Sequence, residues 1–142
     1  MTAQNWNASD YANQSQAQFK WATEMISTMT ISQEDSILDI GCGDGKITAL
    51  LAKMCLRGHV VGIDVSQDMI EMAKFKYNLK EYANLSFQHL LAQQLLFKEE
   101  FDIVFSNSTM HWIVDHIPVL KGIYSALKPN GRVYLKFGGL GT

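Results

Sequence analysis

The sequence is short of cysteine. Cys42 and Cys55 are the two it has, and neither has a partner at metal-ligand spacing. Two such residues make no disulfide framework, so the expectation is a reduced, cytoplasmic protein with no metal site. No apolar run is long enough to span a bilayer. The first residues, MTAQNWNASDYANQSQ, lack the basic start and apolar stretch of a secretory signal. Charge of one sign is also lacking: 12 Lys and Arg against 14 Asp and Glu leave a net charge of −2. That balance gives no electrostatic footprint for nucleic acid or an anionic membrane, and neither is expected as a partner. Repeats, low-complexity stretches and an internal linker are absent. The expectation is one domain spanning residues 1–142.

What is present is the material for a core. Hydrophobic residues make up 47% and charged residues 18%, which excludes a disordered chain. Apolar residues at Phe19, Ala22, Met25, Ile26 and Met29 recur with helical period and predict an amphipathic helix from about Asn13 to Met29. Ser36–Ile40 reads as a short strand that stops at glycine, and 46–55 as a helix ended by Arg57-Gly58. His59–Asp64 is a second strand. Ser66 caps a helix over 67–79, with Asp68 well placed in its first turn. Leu85–His89, 101–106 and 132–137 read as further strands. A helix starts near Pro118 and ends about Leu127, and KPNGR forms the turn that follows. Strands alternating with helices argue for an α/β fold, a parallel sheet covered on both faces with right-handed crossovers.

The most informative stretch is DIGCGDG, Asp39 to Gly45, placed between a strand and a helix. Its alternating glycines let the chain turn sharply and let a ligand approach backbone N–H groups, and the helix N-terminus adds partial positive charge. Asp64 closes the second strand about twenty residues further on, where a carboxylate accepts both hydroxyl protons of a ribose. Loop and acid together point to a nucleoside cofactor. A dinucleotide wants G-x-G-x-x-G and no nearby acid. Here the spacing is G-x-G-x-G, and Asp39 and Asp44 would repel a pyrophosphate by roughly a few kcal/mol. Two acids suit a ligand carrying an amino group and a sulfonium, which is S-adenosylmethionine.

LDIGCGDGKIT (38–48) resembles the first motif of class I S-adenosylmethionine-dependent methyltransferases. VVGIDVSQDMIEMAK (60–74) is similar to the next motif. FDIVFSNSTMHWIVD (101–115) resembles the fourth-strand motif of the trans-aconitate and juvenile-hormone-acid methyltransferase-like group, and LKPNGRVYLKF the turn into the fifth strand. WNASDYANQSQAQFKWA resembles that group's cofactor-covering segment, which makes residues 1–30 a lid segment and helix within the domain. The resemblance implies a Rossmann-like, doubly wound parallel sheet of order 3-2-1-4-5, with helices on both faces and a helix preceding it. It also implies site roles. Asp39, Gly41, Cys42, Gly43 and Asp44 border the methionine part of the cofactor. Asp64 binds the ribose, and Val65, Met69 and Leu91 lie along the adenine. Ser106 and Asn107 lie under the sulfonium, and Tyr11 and Gln18 close over the site. The product is S-adenosylhomocysteine.

Two departures from the family stand out. An acid normally follows the third strand and accepts the adenine amino group; the aligned residue here is Leu91, a loss of about 0.5–1.5 kcal/mol. The family sheet also continues for two more strands where this sequence stops. The resemblance therefore implies a shortened form whose fifth strand exposes an edge carrying Val133, Tyr134, Leu135 and Phe137, open to pairing with a second copy.

Methyl transfer from a sulfonium is a displacement whose leaving group comes with the cofactor, so no catalytic triad or metal is needed. The expected activity is methylation of a small acceptor, with a carboxylic acid as the favoured class. Two further readings compete with it: a domain that binds the cofactor without turnover, and a nicotinamide-dependent oxidoreductase. His111 and Trp112 follow the fourth strand, at the sheet end where such folds hold ligands, and read as the acceptor-pocket wall. His111 is the candidate for orienting an acceptor carboxylate or taking a proton, set against ordinary packing. Cys42 has no basic neighbour to lower its pKa and reads as a packed residue rather than a nucleophile. His59, His89 and His116 read as structural or exposed.

Overall fold

The structure, a computed structural model, describes residues 8–107 and 116–136, with side chains from residue 16. Its chain divides into two compact units, 1–30 and 31–142. The first contains helix α1, Ala8–Thr28. Ala22 and Ile26, followed by Met29, are its buried positions, at the spacing expected from sequence. The helix begins at Ala8 rather than Asn13; residues 8–12 carry no apolar period from which that start can be read.

The second unit is the sheet domain. It runs β1 (Ser36–Ile40), α2 (Lys46–Met54), β2 (His59–Asp64), α3 (Gln67–Lys76), β3 (Leu85–His89), a 3-10 turn at Ala92–Gln94, β4 (Phe101–Asn107), α4 (His116–Ala126) and β5 (Leu127–Lys136). All four pairings are parallel and the strand order is β3-β2-β1-β4-β5. The order reverses beside β1. Beyond the strand ends at such a switch point is where open α/β sheets hold their ligands.

Register assigns the faces. Leu38, Ile40, Val61, Ile63 and Val104 occupy one face and form a buried cluster with Val119, Ile123 and Ala126 of α4 and with Leu95. The alternate residues face the other way. There the Phe87 ring of β3 lies beside Gly62 of β2 and against Gly45, at the start of α2, with Ala73 of α3 next to Gly45. Helices thus cover both faces, and this is why the three central strands read as continuous apolar runs rather than alternating ones. Ile37, Leu38, Ile40, Val60, Ile63, Ile103, Val104 and Phe105 are essentially inaccessible, each contributing about 1.5–3 kcal/mol on burial.

Several boundaries differ from expectation: α2 ends at Met54 and α4 starts at His116. Helix α3 stops at Lys76, since Tyr77 leaves the helical region at φ −125°. Strand β4 gains Asn107. Strand β5 begins at Leu127, which pairs with Phe101 before the chain bulges out and rejoins the ladder at Arg132 opposite Ile103. The expected KPNG turn lies inside that bulge, where Asn130 adopts φ +67°. Among the described residues β5 pairs with β4 alone and is a sheet edge, with Val133 exposed. Phe137 lies outside the described residues. Among those described, no helix is long and apolar enough to cross a membrane.

Candidate functional site

The glycine loop sits at the top of β1. Gly41 and Cys42 both donate N–H bonds to the Ile63 carbonyl, at 2.8 and 2.9 Å, which carries the β1–β2 ladder beyond the strand end. Gly41, Gly43 and Gly45 all have positive φ, at 77°, 56° and 88°. A side chain at Gly45 would stand 2.7 Å from the Phe87 ring and 3.2 Å from Ala73, so this glycine lets α2 start against the sheet. A side chain at Gly43 would meet nothing within 4 Å, so the open side of the loop lies there. Gly62 makes room in β2 for Cys42, whose Cβ and Sγ would lie 3.0 Å from any added Cβ.

Asp64 ties β2 to this loop. One carboxylate oxygen accepts the Gly43 N–H at 2.8 Å, and the other accepts the Ser66 N–H at 2.8 Å. A carboxylate has about four lone-pair directions, so two stay free for hydroxyl donors. Ser66 in turn caps α3 by accepting the Met69 N–H at 3.2 Å.

The loop's other acids differ sharply. Asp39 is 2% exposed, and its Oδ2 accepts the hydroxyl of buried Thr48 at 2.8 Å. Burial pushes its carboxyl up to about 7; the Thr48 bond opposes the shift and the charge of Asp64 adds to it. Asp44 turns toward the helices. It accepts the Lys46 N–H at 3.3 Å and pairs with Lys76 of α3 at 3.3 Å. Gly45, not Asp44, occupies the N-cap of α2. Cys42 is buried, and burial together with the nearby Asp39 and Asp64 pushes its thiol far above the ordinary range. Such a thiol is no nucleophile near neutral pH.

Beside Asp64, Val65 is 63% exposed, Met69 is half-buried and Leu91 is 37% exposed. Leu90 donates to the Asp64 carbonyl at 3.0 Å, which brings the chain after β3 alongside Asp64. On the other side of β1, Ser106 is fully buried and donates its hydroxyl to the Ile40 carbonyl at 3.0 Å, while Asn107 ends β4. The sheet domain therefore gathers Asp39, Gly41, Cys42, Gly43, Asp64, Val65, Met69, Leu91, Ser106 and Asn107 around the C-terminal ends of its strands. Asp44 belongs to the same loop, with its carboxylate on the α3 side. Gln18 is an exposed residue of α1, in the first unit. Tyr11 lies on the α1 backbone with its side chain outside the described residues, and His111 and Trp112 lie outside them altogether.

Sequence reasoning did not single out Thr48 or Lys76, and it read His89 as structural or exposed without finding its partner. Thr48 follows the glycine loop by three residues, on the helix turn that faces back over β1, a placement from which its bond to Asp39 was readable. Lys76 and His89 carry no motif. Their partners, Asp44 and the Val65 carbonyl, come near only through the packing of α3 and β3.

The sequence model of a family described as a methyltransferase domain matches residues 31–137. An uncharacterised methyltransferase of Schizosaccharomyces pombe is 36% identical over 141 residues, 96% of this chain and 53% of that protein. A trans-aconitate 2-methyltransferase of Enterobacter is 30% identical over 129 residues, 89% of this chain and 48% of that protein. Among solved structures, the YcgJ protein from Bacillus subtilis superposes with a TM-score of 0.73 at 27% identity, covering 80% of this chain and 48% of that one. The chain spans about half the length of the curated relatives it matches.

Proposed function

Because the chain belongs to the S-adenosylmethionine-dependent methyltransferase family, we propose that its sheet domain holds that cofactor over the glycine loop and directs its methyl group to a small carboxylic acid. The observation that carries this reading is the Asp64 carboxylate bonded to the Gly43 N–H at 2.8 Å. It joins the acid at the end of β2 to a loop glycine that faces open space, and it leaves acceptor capacity for two ribose hydroxyls. The donor set suits the whole ligand. Asp39 is a desolvated acid whose ionised form needs a cation nearby, and the cofactor's ammonium and sulfonium are cations. Val65, Met69 and Leu91 offer an apolar strip next to Asp64 for a purine face.

When bound, the cofactor supplies a methyl group on a positively charged sulfur leaving group. The chain's part is to fix its two ends and exclude water. Asp64 would hold the ribose and Asp39, Gly41 and Gly43 the methionine end, and gripping both ends would limit the directions from which an acceptor can approach. Ser106 is already committed to the Ile40 carbonyl and stiffens the floor between β1 and β4. A carboxylate acceptor is a nucleophile at neutral pH, so alignment suffices and no base is required. The Enterobacter relative, whose name gives trans-aconitate as its substrate, supports this acceptor class.

Calorimetric titration with S-adenosylmethionine, S-adenosylhomocysteine and NAD tests the reading. Binding of both adenosyl compounds, clearly weakened in Asp64→Ala, is the expected result. Binding of NAD alone overturns it. A panel of carboxylic acids, amines and thiols with methyl-labelled cofactor then tests the acceptor class. Label transfer to amines or thiols but not acids refutes that part, and binding with no transfer at all points to a domain that holds the cofactor without turnover.

A further inference from the structure

We infer that His89 is a positioning residue for Asp64, acting through the peptide unit between Val65 and Ser66. The inference rests on the reading of Asp64 as the ribose acid.

His89 is the last residue of β3 and lies directly opposite Asp64 in the parallel register. Leu85, Phe87 and His89 share one face of the strand, the face covered by α2 and α3. The His89 ring nitrogen Nε2 stands 2.9 Å from the Val65 carbonyl oxygen. A carbonyl can only accept, so Nε2 carries the hydrogen and donates it. The Val65 carbonyl and the Ser66 N–H belong to the same planar peptide unit, and the chain has no cis peptide bonds among the described residues. The two groups therefore point in opposite directions. On the far side, the Ser66 N–H donates to Asp64 Oδ1 at 2.8 Å, and Asp64 Oδ2 accepts the Gly43 N–H at 2.8 Å.

The result is one continuous row from imidazole through peptide and carboxylate to the glycine loop. Rotating the 65–66 peptide would break the bonds at both of its ends at once. The row is also polarised in one sense: a donor on the Val65 carbonyl makes the Ser66 N–H a better donor to the carboxylate. Leu90, donating to the Asp64 main-chain carbonyl at 3.0 Å, holds the end of β3 against β2 and keeps the ring in reach. Without the ring, the peptide keeps its bond to Asp64 but loses the brace behind it. The carboxylate, still bonded to Ser66 and Gly43, is then held less firmly in the direction in which ribose hydroxyls would arrive.

The test is a double-mutant cycle read by calorimetric titration with S-adenosylhomocysteine, taken to millimolar ligand, with thermal melts to confirm folding. His89→Ala is expected to weaken binding about two- to tenfold, the scale of one neutral hydrogen bond. His89→Gln, whose amide nitrogen has similar reach, is expected to restore it. In the Asp64→Ala background, His89→Ala is expected to have no further effect. A folded His89→Gln that binds as weakly as His89→Ala overturns the proposal, as does a His89→Ala loss of the same size in both backgrounds. Weak binding by Asp64→Ala with wild-type binding by His89→Ala overturns the role of His89 alone. Wild-type binding by Asp64→Ala overturns the ribose reading on which the role rests.

Discussion

Replacing Asp39 by Asn should stabilise the protein at alkaline pH while weakening its hold on the cofactor. The folded chain pushes the Asp39 carboxyl from 3.8 up to about 7. The folded state therefore keeps a proton that the unfolded state has already released. Its stabilising effect is fully present below the unfolded value and is lost as pH rises through the folded one. Roughly three pKa units at about 1.4 kcal/mol each make the loss about 4 kcal/mol between pH 4 and 8. The Asp39→Asn side chain is neutral throughout and escapes it. Its own cost is an amide that cannot satisfy every neighbour, about 1–3 kcal/mol and independent of pH. The quantity to measure is thus the stability difference between variant and wild type by urea unfolding, at about pH 4.5 and again at about pH 8. It should move in favour of the variant by several kcal/mol across that range. The ionisable neighbours of Asp39 are Asp64 on β2 and Cys42 in the loop, and Thr48 on α2 faces it as a neutral hydroxyl. A difference that stays within about 1 kcal/mol at all pH values would refute the argument from burial. The same acid predicts proton release when a cationic cofactor binds near pH 6. This would appear as a binding enthalpy that depends on the ionisation heat of the buffer, and the dependence should vanish in Asp39→Asn.

The glycine loop separates stability from binding. Gly45→Ala places a methyl 2.7 Å from the Phe87 ring at φ +88° and should cost about 2–4 kcal/mol in urea unfolding. Gly43→Ala meets open space and should cost about 1–2 kcal/mol, yet it should weaken S-adenosylhomocysteine binding more than its stability loss explains. Equal stability losses would mean that the Phe87 contact is not what requires Gly45. Leu91→Asp supplies an acceptor beside the apolar strip and should tighten binding about two- to tenfold; unchanged or weaker affinity would put the adenine elsewhere.

Much of this architecture was legible because buried parallel strands leave compact apolar runs. SILDI, HVVGID and LSFQH each follow a polar residue or glycine, Asp35, Gly58 and Asn84, and β1, β2 and β3 fall on them residue for residue. Helix ends were harder. Nothing apolar marks the start of α1, and Leu79 extends the periodicity of α3 beyond the point where Tyr77 breaks its backbone. Strand β5 was misjudged at its start because Leu127 pairs with Phe101 across a bulge, and a bulge has no period. The same division holds in the site. Asp39, the loop glycines and Asp64 stand at fixed spacing along the chain. Lys76 and His89 act on the loop and on the β2–α3 turn from other elements, and only the packing of α3 and β3 brings them close.

That division bears on how the loop gains its shape. Gly41, Gly43 and Gly45 all hold positive φ, which costs glycine more conformational entropy than any other residue on ordering. Three bonds from β2 offset that cost: two N–H groups on the Ile63 carbonyl and the Gly43 N–H on Asp64. Because Asp64 is itself fixed by Ser66, the start of α3 and the glycine loop order together. A ligand that engages Asp64 then tightens both without forming a new loop. On the proposed ribose role, loss of the Asp64 carboxylate would remove a ligand contact and loosen the loop in the same stroke. The affinity lost in Asp64→Ala should accordingly exceed that of two hydroxyl bonds, and faster amide hydrogen exchange at Gly43 and Ser66 should accompany it. Exchange as slow as in wild type would show that the loop is ordered without Asp64.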